Sequence, residues 1–247
     1  MAKTRRLDLE LVHRGLFDSR EKAQRAIMAG EIRVNGQLCD KSSHACAEDV
    51  VIEREGADLY VGRGGHKLQA ALDHYHIDPA GLHCLDIGSS TGGFTDCLLQ
   101  RGAARVTCVD IGQGQLHWKI RQDPRVEVRE GINARYLKPG DFGTDFKPFP
   151  LIVTDVSFIS LRLVLPPAFD LLASPGQVCA LIKPQFEAGR DEVGKGGIVR
   201  NENVRNRVVA DLETWLRDFP VRSAGVFPSP VLGGDGNQEF LWHLKKD

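Results

Sequence analysis

The sequence predicts an α/β protein: a doubly wound, mostly parallel sheet over residues 63–247, preceded by a small α+β domain over residues 1–60. Three observations lead there. Beyond residue 80, short apolar segments alternate with helical patterns, the signature of βαβ units. One apolar segment, Leu82 to Ile87, runs through Gly88-Ser89-Ser90-Thr91-Gly92-Gly93 into the helical pattern Phe94, Cys97, Leu98, Leu99. Such a strand–loop–helix turn makes a nucleotide-type site, because glycines admit a ligand to the backbone and the helix start offers N–H groups. The first 60 residues lack this alternation and read as two short helices and a strand pair.

Taken in order, Leu7, Leu9, Leu11 and Val12 begin a helix that ends at Gly15. Asp18 and Ser19 cap a second helix, with Glu21 in its first turn, an apolar stripe of Ala23, Ala26 and Ile27, and Gly30 at its end. Ile32-Arg33-Val34 meets Asn35-Gly36, a strong hairpin signal, and Val50-Val51-Ile52 makes another strand. Residues 54–62 read as a linker. Strands are expected at 82–87, 105–110, 126–129, 150–155, 177–183, 221–227 and 239–244, and helices at 66–76, 93–101, 114–121, 160–173 and 202–218. Only the loop 228–238 separates the last two strands, which suits a hairpin with an antiparallel edge strand.

Composition narrows the function. The chain has 247 residues, 42% hydrophobic and 26% charged, as in ordinary folded proteins. No apolar run approaches the ~20 residues of a membrane helix, and the basic N-terminus leads into no apolar signal core. The six cysteines form no Cys-x-x-Cys pair. They read as reduced thiols of a cytoplasmic protein, holding neither metal nor disulfide. Net charge is −1, yet residues 1–33 carry eight basic and five acidic groups while residues 34–60 carry two and six. A basic face for a phosphate backbone and a merely solvated helix face both account for that asymmetry.

The chemistry-bearing residues cluster at element ends. The glycine loop is neither a Gly-x-x-x-x-Gly-Lys-Ser/Thr phosphate loop nor a strict Gly-x-Gly-x-x-Gly. With Asp86 at its entrance, it looks like the S-adenosylmethionine loop of class I methyltransferases, whose ligand is cationic and lacks phosphates. Asp86, Gly88, Ser89, Ser90, Thr91, Gly92, Gly93 and Phe94 are therefore the first cofactor candidates, with Phe94 equally suited to the core. Asp110, 24 residues after Asp86 and also at a strand end, suits a ribose hydroxyl, and Ile111 adjoins it. Asn133 suits either the adenine edge or a turn. Asp155 and Lys183 end apolar strands, Glu239 begins the last one, and Lys67 opens the helix after Gly-Arg-Gly-Gly-His. Carboxyl ends of parallel strands line the ligand crevice, and an antiparallel strand starts on that same side, so Asp155, Lys183 and Glu239 should converge near residues 88–93. His66 suits catalysis or packing. Ser157 and Ser160 show no Gly-x-Ser-x-Gly elbow. Lys195 lies in the charged, glycine-rich loop 189–200, either a substrate lid or plain surface.

The Lys67–Asp155–Lys183–Glu239 order resembles the tetrad of the FtsJ-like ribose 2′-O-methyltransferases. Six motifs together resemble the TlyA family of rRNA 2′-O-methyltransferases: Arg63-Gly-Gly-His-Lys-Leu68, Gly88-Ser-Ser-Thr-Gly-Gly-Phe-Thr95, Asp123-Pro-Arg-Val126, Asp155-Val-Ser-Phe-Ile-Ser160, Ile182-Lys-Pro-Gln-Phe-Glu187 and Gly236-Asn-Gln-Glu-Phe240. Arg5-Arg6-Leu7-Asp8, Ser19-Arg-Glu-Lys-Ala23 and Ile32-Arg-Val-Asn-Gly36 resemble the RNA-binding module of ribosomal protein S-four. The resemblance implies a Rossmann-like, seven-stranded class I methyltransferase fold after an RNA-binding domain. It implies S-adenosyl-L-methionine as cofactor, also contacted by Asp155, and cytidine in ribosomal RNA or ribosomal subunits as substrate. It places RNA phosphates on Arg5, Arg6, Arg20, Lys22 and Arg25, with Lys195 added from its loop. Lys183 would meet the 2′-hydroxyl as base or orienting group, Lys67 would lower the Lys183 pKa and contact the substrate phosphate or ribose, Asp155 would sit near the sulfonium and orient Lys183, and Glu239 would hold the lysines and the hydroxyl in line. Family members with longer C-terminal tails tend to modify both subunits, so an ending at Asp247 leans towards the large one. A monomer away from membranes is expected, despite the haemolysin label of some members. A non-catalytic RNA-binding assembly factor is the first rival reading, and a membrane-acting haemolysin the second.

Overall fold

The computed structural model describes residues 4–47, 49–54 and 59–247. The chain divides into two compact units, Met1–Asp58 and Leu59–Asp247.

In the smaller unit, β1 (Arg5–Arg6) leads into α1 (Leu7–His13) and α2 (Arg20–Met28). Short strands follow: β2 (Ile32–Val34), β3 (Gln37–Leu38), β4 (Ala45–Cys46) and β5 (Ile52–Arg54). Ser19 caps α2 by accepting from the Lys22 N–H. Asn35 and Gly36 both take positive φ, as a type I′ hairpin turn requires. Leu7, Leu11, Ala23, Ile27 and Ile32 are the buried centre.

The larger unit contains α3 (Gly64–Tyr75), β6 (His83–Ile87), α4 (Gly93–Gln100), β7 (Arg105–Asp110), α5 (Trp118–Arg121), β8 (Val126–Glu130), β9 (Phe149–Thr154), α6 (Leu161–Leu171), β10 (Leu172–Ile182), α7 (Pro184–Glu187), α8 (Glu202–Leu216), β11 (Arg222–Pro228) and β12 (Phe240–Lys246). Its seven strands lie in the order β11-β12-β10-β9-β6-β7-β8. β12 runs antiparallel to both β10 and β11. The order reverses between β6 and β9, the switch point at which doubly wound sheets bind ligands.

Both sheet faces are covered. Leu85, Ile87, Val109 and Ile152 pack with Val164 and Leu165 of α6 and Leu212 of α8. Cys84, Val106, Leu151 and Val153 pack with Leu68 and Leu72 of α3 and Leu98 of α4. This double burial explains the nearly continuous apolar composition of the central strands.

Several boundaries differ from expectation. The expected helix 114–121 shrinks to α5, whose N-cap His117 accepts from the Lys119 N–H after the glycine-containing stretch 112–116. The expected strand 177–183 begins five residues earlier, where Leu172 pairs with Phe149 before a register shift, so helix 160–173 is shortened to α6. The reversed strand is not the edge: β12 enters between β10 and β11, and β11 is the edge. Of the linker expected at 54–62, residues 55–58 lie outside the described residues, and the larger unit claims Leu59 onwards. There Tyr60 is buried and the Val61 N–H donates to Asp96 Oδ2 at 2.8 Å.

Candidate active site

A cavity of about 570 Å³ opens beside the carboxyl ends of β6, β7 and β9. Gly88, Ser90, Asp110, Ile111, Asn133 and Asp155 line it. Gly88 has φ +81°, and a Cβ there would lie 2.9 Å from the Asp155 carbonyl oxygen, so only glycine permits this closeness of the β6 and β9 ends. The Asp110 carboxylate accepts from the Ser90 N–H at 2.8 Å and the Gly112 N–H at 2.7 Å. It is thus a turn acid and a cavity acid at once, with lone pairs left for a ligand hydroxyl. Asn133 also combines both readings: its Oδ1 caps a turn through the Arg135 N–H while the residue lines the cavity. Gln115, Ile132, Val156 and Ile159 complete much of the wall. These were missed because a wall of mixed apolar and amide side chains carries no spacing signal.

The second half of the glycine loop is not among the wall residues. Gly93 has no side chain because a Cβ would meet the Gly65 nitrogen at 3.0 Å and the Gly62 oxygen at 3.1 Å. The Thr91 hydroxyl occupies the space a Gly62 Cβ would need, at 2.8 Å. A Gly92 Cβ would lie 2.8 Å from Leu116. Phe94 is buried against Gly64, and Ser89 is also buried. Thr91, Gly93 and Phe94 therefore clasp the segment 62–65, while Gly92 turns towards Leu116. His66 packs edge-on against Tyr60 at 5.2 Å between ring centroids.

Asp86 departs furthest from its expected place. It is fully buried on the α4 side, with Cys84, because side chains alternate along β6. Thr95 Oγ1 donates to its Oδ2 at 2.6 Å, and Oδ1 has no hydrogen-bond partner among the described residues. Burial pushes its pKa up to about 7, against the opposing Thr95 hydrogen bond. Asp86 lies beneath the loop and does not line the cavity.

The tetrad forms two ion pairs. Lys67 Nζ sits 2.5 Å from Glu239 Oε2, with both side chains buried. Lys183 Nζ sits 2.6 Å from Asp155 Oδ1 and donates to Ser157 Oγ at 2.8 Å. Pairing of Ile182 with Phe240 sets Lys183 beside Glu239, and pairing of Ile87 with Thr154 sets Asp155 beside Gly88. Burial raises the Glu239 pKa; Lys67 and then Lys183 oppose it, while Asp155 adds to it, so all four charges act on one another. Lys67 is thus matched foremost by Glu239, and Ser157 joins the set from within the Asp155 motif.

Aromatic rings rim the site. Phe158 has φ +63°, is 90% exposed, and lies 5.1 Å from the Phe186 ring. A second, open groove of about 700 Å³ shares Asn133, Phe158 and Ile159 with the cavity and adds Tyr136, Phe186 and Arg190. Lys195 is exposed in the turn bridged by Gly194 and Ile198. The buried Asn237 anchors that turn, its Oδ1 accepting from the Val199 N–H and its Nδ2 donating to the Gly197 oxygen.

In the smaller unit, Arg6 and Arg20 both donate to Asp8, while Arg5 and Arg14 donate to Glu10. Lys22 pairs with Asp18, and Arg25 is exposed. The six cysteines are unpaired and buried. Among the described residues, no three His, Cys, Asp or Glu side chains cluster around a metal position, and no helix is long and apolar enough to cross a membrane.

Residues 60–246 match the FtsJ-like methyltransferases, and residues 5–52 match the S4 domain. The chain is 44% identical to the Mycobacterium tuberculosis 16S/23S rRNA (cytidine-2′-O)-methyltransferase TlyA over 247 residues, covering 98% of this chain and 90% of that one. It is 40% identical to Hemolysin A of Brachyspira hyodysenteriae, covering 97% and 99%. A solved structure from Streptococcus thermophilus, also carrying a hemolysin designation, superposes with a TM-score of 0.74 at 42% identity, covering 100% of this chain and 90% of that one.

Proposed function

The chain belongs to the FtsJ-like methyltransferase family, in its TlyA branch with an N-terminal S4 domain, and from that premise we propose that it methylates the 2′-hydroxyl of cytidine in ribosomal RNA with S-adenosyl-L-methionine. The single observation that carries this reading is the convergence of Lys67, Asp155, Lys183 and Glu239 as two ion pairs beside the switch-point cavity.

The cavity residues suit that cofactor. Gly88 lets a ligand approach the strand ends, Asp110 offers carboxylate lone pairs to ribose hydroxyls, and Asn133 offers an amide near a base edge. When bound, the cofactor supplies an electrophilic methyl group. Asp155 and Ser157 hold Lys183 Nζ in one place, so it can orient the ribose hydroxyl and, once it has released a proton to become the neutral amine, accept the hydroxyl proton as the oxygen attacks. Lys67 neutralises buried Glu239, so that carboxylate does not oppose the negative charge that develops on the attacking oxygen. The exposed Phe158 ring suits stacking of an unpaired base, the usual way proteins hold single-stranded RNA. The S4-type unit then positions the protein through phosphates rather than sequence. With ribosomal RNA as its proposed substrate, we place the enzyme in the cytoplasm.

The test is incubation of the purified protein with radiolabelled S-adenosylmethionine and large or small bacterial ribosomal subunits separately, with Lys183→Ala alongside. Label resistant to alkaline cleavage at one cytidine, lost in the variant while RNA binding persists, is the expected result. Cofactor binding and RNA binding without label in either subunit would favour a non-catalytic assembly factor.

A further inference from the structure

The smaller unit holds an arrangement that a simple basic face does not require. Asp8 is fully buried, yet its partners point outward: the side chains of Arg6 and Arg20 are 45% and 52% exposed. Arg6 grips the carboxylate with a two-pronged fork, Nε to Oδ1 and Nη2 to Oδ2, both at 3.1 Å. Arg20 Nε donates to Oδ2 at 2.9 Å, and Gln24 Nε2 donates to the same oxygen at 2.8 Å. One buried anion therefore fixes two guanidinium planes, from β1 and from α2, while their remaining edges face solvent. A long, flexible cation otherwise loses rotamer freedom when it grips a phosphate, and prior fixation removes that cost.

We propose that Asp8 is a positioning residue of the RNA interface, holding Arg6 and Arg20 as a preformed two-pronged phosphate clamp. This rests on the reading of the S4-type unit as RNA-binding. The alternative, that Asp8 simply offsets surplus positive charge, predicts the opposite sign. Asp8→Asn adds a net positive charge, so charge alone would tighten RNA binding. Loss of positioning would loosen it.

The experiment measures Kd for bacterial large ribosomal subunits against salt concentration, using the full chain as wild type, Asp8→Asn, Arg6→Met/Arg20→Met, and the triple variant. We expect Asp8→Asn to raise Kd roughly fivefold or more and to flatten the salt dependence by about one phosphate contact. Asp8→Asn should add no further loss in the Arg6→Met/Arg20→Met background, and S-adenosylmethionine affinity should not move. Tighter or unchanged binding by Asp8→Asn would overturn the proposal. So would an equal loss in the Arg6→Met/Arg20→Met background, which would mark Asp8 as a folding residue. Unchanged binding by Arg6→Met/Arg20→Met would instead remove these two arginines from the RNA interface and overturn both readings.

Discussion

Asp86→Asn should change how the stability of the larger unit depends on pH. The wild-type carboxyl sits fully buried, with Thr95 as hydrogen-bond donor and a pKa near 7, whereas the unfolded chain gives aspartate its ordinary value of about 3.9. Between those values the folded protein holds a proton that the unfolded chain has released. Stability from this group therefore falls as pH rises through that window and levels off above about 7. Integrated from pH 5 to pH 8, one such carboxyl removes about 2.5 kcal/mol. Asparagine keeps the shape and an acceptor for Thr95 but has no proton to lose. Urea unfolding of both proteins at several pH values reads the difference, since every other titrating group is common to both. The variant should gain on the wild type by about 2.5 kcal/mol over that range. A constant difference between pH 5 and pH 8 would refute the reasoning, because Asp86 would then be ionised throughout.

Glu239→Ala strands a buried ammonium and should cost roughly 3 kcal/mol or more in thermal unfolding. Lys67→Met/Glu239→Leu should recover most of that stability while methylation stays lost. Phe158→Ala should leave stability within about 0.5 kcal/mol, because the ring is exposed. It should raise KM for RNA roughly 5- to 150-fold, the range of one lost base stack of about 1–3 kcal/mol. Gly88→Ala brings a Cβ to 2.9 Å from a backbone oxygen at φ +81°, and calorimetric cofactor affinity should fall more than tenfold.

Sequence legibility differed along the chain for physical reasons. Asp155, Lys183 and Glu239 could be brought together before any coordinates, because strand ends in a doubly wound sheet share one crevice. Asp110 was legible for the same reason. Asp86 misled: a residue one position before the strand's last points by alternation into a helix layer, so an acid there need not reach the cavity. Thr91 and Gly93 misled because the loop's small residues serve close packing against the segment 62–65 as well as any ligand. Ser157, Asn237 and Asp8 were hidden because their partners lie far off in sequence or, for Asp8, because a surface-like motif conceals a buried anion. The place of β12 was hidden as well, since a hairpin reads alike whichever strand takes the edge.

That place has a consequence for how the enzyme comes into being. β12 follows both of its neighbours in sequence, yet it lies between them and brings Glu239 to a lysine 172 residues upstream. A chain cut or stalled before residue 239 retains the residues that line the cofactor-type cavity and both partners of the Lys183–Asp155 pair, but it leaves Lys67 without its counter-ion. Pairing of Lys67 with Glu239 therefore waits on the seating of the one reversed strand between β10 and β11, so sheet closure and charge compensation in the site are a single event.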